Sequence, residues 1–156
     1  MTAPFPHRYT TTVVRTARSR ATIEAAPRPA LSGAPPAEFD GDPARWSPEH
    51  LLLGALGLCF ETTFDALAAR VELDVQHWRA NVDGVVDKTR TGLELTSITI
   101  DVRLVVAPDD VERAGEVLRK AQQHCIVSKA LKAPVQVLSQ ISTDRFEVDD
   151  ELDEAC

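Results

Sequence analysis

The sequence predicts an α+β domain, with one curved antiparallel sheet around a long buried helix. Three observations predict it. Residues 95–106, LTSITIDVRLVV, alternate apolar and polar side chains with the period of a half-buried strand. Residues 46–60, WSPEHLLLGALGLCF, open with helix-start chemistry and then turn apolar on every face. The segments fall in the order strands, long helix, hairpin, helices, strand, which is an α+β order.

Residues 9–16 (YTTTVVRT) and 20–25 (RATIEA) are rich in Thr, Val and Ile and read as two short strands with a tight connection. Residues 27–45 hold five prolines and two glycines and form a loop, whose end at Glu38, Phe39 and Asp40 is expected to pack rather than float. Ser47 caps the long helix, with Pro48 at its first position and Glu49 in its first turn, and the helix runs to about Arg70. Its first half, residues 51–60, is expected to be the buried centre of the fold or of an oligomer. Beyond it, Phe60, Thr63, Phe64 and Leu67 face in, and Glu61, Asp65 and Arg70 face out. Residues 73–88 form a strand with Gly84 as its bulge. The turn TRTG (89–92) joins it to the strand 95–106, which turns Ile98, Ile100, Val102, Leu104 and Val106 inward. Pro108 and acidic residues start an amphipathic helix over 107–125, with Val111, Ala114, Val117, Leu118 and Ala121 on one face. A second short helix over 126–131 and a last strand over 134–141 complete the domain. Residues 1–146 are expected to be a single domain and 147–156 an acidic tail. A helix apolar on all sides needs more cover than one sheet and one helix provide, so dimerisation around it is expected.

With 156 residues, 44% hydrophobic and 26% charged, the chain is long enough for one real core. A net charge of −7 offers no basic field for nucleic acid or anionic lipid. The N-terminus lacks the order of a signal peptide, and the longest apolar run, Leu51 to Phe60, is about half a bilayer span. A cytoplasmic protein that avoids membranes and nucleic acid is the expectation. The three cysteines (Cys59, Cys125, Cys156) are too few and too odd for a structural disulfide framework.

Cys59 lies in an apolar wall, which by itself raises a thiol's pKa and makes it inert, so it needs a positive partner to react. Cys125 stands where one helix ends and another begins, a place where the helix dipole favours thiolate. Each also fits a packing role, and composition leaves that choice open. His124 beside Cys125, taken with Cys59, lacks the third and fourth ligands of a zinc site, so no metal or cofactor is expected. His50 and His77 read as surface or packing residues, and Trp46 and Trp78 as core aromatics.

The pattern WSPEHLLLGALGLCF, followed 66 residues after its cysteine by CIVSKAL, resembles the OsmC/Ohr family, the osmotically inducible and organic hydroperoxide resistance proteins. The resemblance runs from RYTTTV to PVQV. It implies an OsmC-like fold, an intertwined homodimer and a cysteine-based hydroperoxide reductase. In that reading Cys59 is the peroxidatic thiol, Cys125 the resolving thiol, and Glu49 the carboxylate that holds a catalytic arginine. Arg18, in the TARSR turn, is the first candidate for that arginine, then Arg20, then Arg45. Ile126 departs from the proline that many members carry after the resolving cysteine. The implied substrates are alkyl or lipid hydroperoxides, with Leu52, Leu56 and Phe60 as candidate lining. The implied reductant is an external dithiol, in the family a lipoylated protein.

Glu49 and Cys59 are ten residues apart on one helix, roughly 15 Å along its axis. Glu49 cannot then organise a pocket around its own chain's Cys59, and the partner subunit is expected to supply it. A redox-sensing dimer or a binder of apolar small molecules on the same scaffold is the alternative reading.

Overall fold

The computed structural model describes residues 4–144. The chain divides into two compact units, Met1–Leu52 and Leu53–Cys156. The expected acidic tail and Cys156 lie outside the described residues.

In the first unit, strands β1 (Thr12–Ala17), β2 (Arg20–Glu24) and β3 (Leu31–Gly33) form an antiparallel sheet in that order. Arg18 and Ser19 make the β1–β2 turn, with Ser19 in the left-handed region at φ 55°. A register shift between Arg15 and Ala17 leaves one residue unpaired and bends β1 just before that turn. The proline-rich loop that follows is pinned. Trp46 donates its backbone N–H to the Ser32 carbonyl at 3.1 Å and accepts from Ala34 at 3.0 Å. The Asp42 carboxylate accepts from the Ala44 N–H at 3.1 Å and from Arg45 Nε at 2.9 Å. Arg45 also reaches the Ser32 hydroxyl. Gly41 permits the close return of this loop, because a Cβ there would stand 1.6 Å from the Pro35 carbonyl oxygen. The third strand is absent from the sequence reading because three residues inside a proline-rich stretch carry no period.

Helix α1 (Pro48–Arg70) starts in the first unit and continues into the second. Ser47 is buried and accepts the His50 N–H on its Oγ at 3.2 Å, which satisfies one of the free donors of the first turn.

The second unit holds strands β4 (Val75–Thr89), β5 (Gly92–Val106) and β6 (Val135–Ser142), with helices α2 (Val111–His124) and α3 (Ile126–Ala130) before β6. β4 and β5 are an antiparallel hairpin; β6 runs parallel to β5 on its other side. The expected single antiparallel sheet is therefore corrected to two three-stranded sheets, one of them mixed. The physical reason is the connection: α2 and α3 form a crossover that returns the chain to the start of the sheet, and such a return makes the next strand parallel. Gly84 is also corrected. The register shift falls between Val85 and Val86, and Gly84 pairs normally with Ile98. A Cβ at Gly84 would meet the Leu53 side chain of α1 at 2.9 Å, so Leu53 packs closely over this position and would have to shift for a larger residue.

The core stacks three faces. α1 contributes Leu56, Phe60, Phe64 and Ala68, a stripe at four-residue spacing. β5 contributes Ile98, Ile100, Val102, Leu104 and Val106, and α2 contributes Ala114, Val117, Leu118 and Ala121. Trp78 of β4 lies against Phe60 and Phe64, with ring centroids 6.1 and 4.5 Å apart.

Within the single chain only Leu56 and Phe60 of residues 51–60 are buried, and Leu58 is 66% exposed. One sheet and one amphipathic helix cover one stripe of α1 and no more. By length and composition alone α1 is apolar enough to cross a bilayer. Its core stripe is nonetheless committed to β5 and α2.

Candidate active site: a thiol pair and a charged apolar cavity

Cys59 sits on α1 beside the core stripe, half-buried, one position before Phe60. Cys125 is wholly buried and ends α2, with its own N–H bonded to the Ala121 carbonyl at 2.9 Å. There the backbone turns extended (φ −61°, ψ 114°), and α3 begins at Ile126. This break turns the N–H groups of Ile126 and Val127 to the Cys59 sulfur. The two thiols lie close enough for each to act on the other's ionisation.

The two sulfurs respond oppositely. Burial pushes Cys59 up, but the Val127 N–H, the Cys125 S–H, the Ile126 N–H and the Thr63 hydroxyl favour its thiolate, and the balance lies below the ordinary thiol value. Burial pushes Cys125 up too. The Ser128 N–H opposes this, but the bond to Cys59 and the charge on Cys59 hold the proton on Cys125, and the balance lies above the ordinary value. The pair therefore contains one thiol disposed to ionise and one disposed to stay protonated.

The first unit contains a separate feature, an open cavity of about 670 Å³. Its wall is mostly apolar, with Val13, Ile23, Pro36, Phe39 and Trp46 among its residues, and it carries Arg15, Arg20 and Glu49. Glu49 Oε2 is buried and has no hydrogen-bond partner among the described residues. Arg20 approaches Asp42 at 4.0 Å. Arg45 is engaged with Asp42 and Ser32 and is not part of the wall. Arg18 stands in the exposed turn and is not part of the wall either.

Several side chains take places other than those expected. Trp46 is half exposed on the cavity wall rather than in a core. Leu56 and Phe60 belong to the core of the second unit, against which Cys59 packs, and Leu51 lines the cavity of the first. Arg15 also lies on the cavity wall, a position the sequence reading did not assign to it. The usable signal was its alternation with Val13 and Ala17 on one face of β1, the face that lines the cavity. Among the described residues, no group of three or more His, Cys, Asp and Glu stands together to hold a metal ion.

The family model for OsmC-like proteins matches residues 40–139, a stretch that includes Glu49, Cys59 and Cys125. The chain belongs to the OsmC-like family. Among curated relatives, the uncharacterized protein YmaD of Bacillus subtilis is 26% identical over 111 residues, which cover 69% of this chain and 74% of that protein. Solved structures share the OsmC-like fold at lower identity. An OsmC-like protein of unknown function from Vibrio cholerae superposes with a TM-score of 0.77 at 15% identity, covering 88% of this chain and all of that one. An organic hydroperoxide resistance protein from Elizabethkingia anophelis gives 0.71 at 15% identity, covering 90% of this chain and all of that one. One from Legionella pneumophila gives 0.70 at 20% identity, covering 88% and 99%.

Proposed function

We propose that this OsmC-like protein is a thiol peroxidase that reduces organic hydroperoxides. The observation that carries the reading is the contact between Cys59 and Cys125, with the first thiol's pKa lowered and the second's raised. A packing pair has no need of that division. Membership of a family that includes organic hydroperoxide resistance proteins supports it.

The Cys59 thiolate attacks one oxygen of R–O–O–H; the O–O bond breaks, Cys59 becomes a sulfenic acid, and the alkoxide takes a proton to leave as R–OH. The Cys125 thiol then attacks the sulfenic sulfur. A disulfide forms and water departs, with the sulfenic oxygen carrying the Cys125 proton. An external dithiol restores both thiols by exchange and is itself oxidised to a disulfide; a lipoylated protein is the proposed class of donor.

A guanidinium completes the site by favouring the thiolate and the departing oxyanion. Its wall position beside the same cavity as Glu49 favours Arg20 over the turn residue Arg18. The unpartnered Glu49 oxygen is a ready acceptor for it. Both are supplied to Cys59 by a second copy of the chain, so the protein acts as a homodimer. Leu58 and Ile126, 66% and 77% exposed beside the two thiols, support that partner surface. Regeneration by a dithiol suits the cytoplasm.

Stopped-flow mixing of reduced protein with cumene hydroperoxide and with hydrogen peroxide tests the reading. It predicts fast oxidation by the first and slow oxidation by the second; no oxidation by cumene hydroperoxide contradicts it. The cavity also suits an apolar ligand, and a protein that retains such a ligand and consumes no peroxide is a binder instead.

A further inference from the structure

Thr63 stands four residues after Cys59 on α1, one turn further along the same face. Its side chain is half-buried, and its hydroxyl donates to the Cys59 backbone carbonyl at 2.6 Å. A helical side chain leans back over the turn before it, so this hydroxyl is laid over residue 59. There it opposes the effect of burial on the Cys59 sulfur and favours the thiolate. Ile126, Val127 and Cys125, which act in the same sense, belong to the break between α2 and α3; Thr63 is the group that acts from the thiol's own helix.

The hydroxyl has one proton and two acceptors. The Cys59 carbonyl takes a backbone N–H from the helix ladder, and the Thr62 hydroxyl stands 3.3 Å from it, so it is not left bare when Thr63 turns away. A neutral thiol is a weak acceptor and a thiolate a strong one, and a hydrogen bond to a charged group outweighs one to a neutral carbonyl. Rotation of a hydroxyl proton about its own bond is all the change requires.

We propose that Thr63 is a further catalytic residue, whose hydroxyl donates to the Cys59 carbonyl while the sulfur keeps its proton and turns to the sulfur when that proton leaves. The thiolate is then held from α1 as well as from the α2–α3 break. The role in catalysis rests on the peroxidase reading; the hydrogen bond itself is a property of the reduced protein and is measured without hydroperoxide.

The neighbouring Thr62 supplies the control. It is exposed, and its hydroxyl donates to the Leu58 carbonyl at 2.9 Å, so its loss removes the same kind of bond from the same turn of helix.

The full chain, reduced and freed of reductant, is alkylated with iodoacetamide over a pH series, and modification of Cys59 is read by peptide mass. In Thr63→Val the Cys59 profile is expected to move to higher pH. On its acid limb the rate falls about three- to tenfold, the loss of one hydrogen bond to a charged group, partly offset by the greater nucleophilicity of a less stabilised sulfur. Well above both midpoints the variant reacts at least as fast as the unaltered protein, which a displaced sulfur would not do. Thr63→Ser returns the profile most of the way, and Thr62→Val leaves it in place. Thr63→Ala, a good helix former, replaces the valine variant if that fails to fold. An unmoved profile in Thr63→Val or Thr63→Ala, a serine variant that behaves like the valine one, or an equal shift in Thr62→Val overturns the proposal. Cumene hydroperoxide separates the two levels. If it forms the Cys59–Cys125 bond while the alkylation profile is unmoved, Thr63 alone is wrong; if no hydroperoxide forms that bond, the peroxidase reading falls and the catalytic role of Thr63 with it.

Discussion

Cys59 and Cys125, 66 positions apart in the sequence, are brought close enough to act on each other's ionisation, and the balance favours a Cys59 thiolate beside a protonated Cys125. The bias comes from the break between α2 and α3. A continuous helix would have spent the Ile126 and Val127 N–H groups on carbonyls four residues back; the extended Cys125 frees them for the Cys59 sulfur.

The two cysteines are accordingly unequal in what their loss does. Cys59→Ser is expected to abolish reaction with hydroperoxide. Cys125→Ser keeps the first oxidation but not the disulfide, so a sulfenic acid accumulates on Cys59 and is trapped by dimedone, as read by intact mass.

The pH dependence follows from the same pair. Because the native structure lowers the Cys59 pKa, the thiolate form persists to lower pH than for an ordinary thiol, and reactivity falls only as pH drops through the lowered value. The stability contributed by this group has the same sign: it is complete above the unfolded thiol's pKa and is lost as pH falls through the native one. Alkylation rate against pH, site by site, is expected to show Cys59 reacting well before Cys125. Cys125→Ala removes one donor and shifts the Cys59 curve to higher pH.

The exposed apolar face of α1 predicts an obligate partner. Leu58→Lys places a charge on a residue that is 66% exposed in the single chain, so it leaves the fold intact and breaks the dimer. Sedimentation is expected to show a monomer, and the reaction with hydroperoxide is lost with it.

In the cavity, Arg20→Met is expected to lower kcat/KM by about 10²-fold, the scale of losing one oxyanion donor. Arg18→Met, in the exposed turn, is expected to change it less than about twofold. Steady-state rates with one alkyl hydroperoxide and an excess of dithiol measure both.

Phe64 tests the core. It is 2% exposed and its ring lies 4.5 Å from that of Trp78. Phe64→Ala is expected to cost about 3–5 kcal/mol in denaturant unfolding.

Much of this was legible in the sequence. The inward set of β5 followed from strict alternation, and the buried face of α2 from helical spacing, because each element has one apolar side and one sheet or helix to place it against. Ser47, Pro48 and Glu49 marked the start of α1 because capping is local chemistry. The parallel direction of β6 was not legible, since its eight residues carry the same alternation whichever way they run. Nor was the role of Gly84, which depends on Leu53 approaching from another element. In the site, the motif singled out both thiols and Glu49. It put Arg18 ahead of Arg20, two residues apart, where the proposal takes Arg20. A two-residue turn sends one guanidinium to solvent and returns the other to the cavity wall, and that geometry is set by the pairing of Ala17 with Arg20.

The most direct test is stoichiometric. Fully reduced protein is mixed with a limiting amount of alkyl hydroperoxide, quenched by acid within the first turnover, and digested for peptide mass mapping. The account predicts one Cys59–Cys125 disulfide for each hydroperoxide consumed. Hydroperoxide consumed without that bond, or both thiols recovered free after exposure, contradicts it.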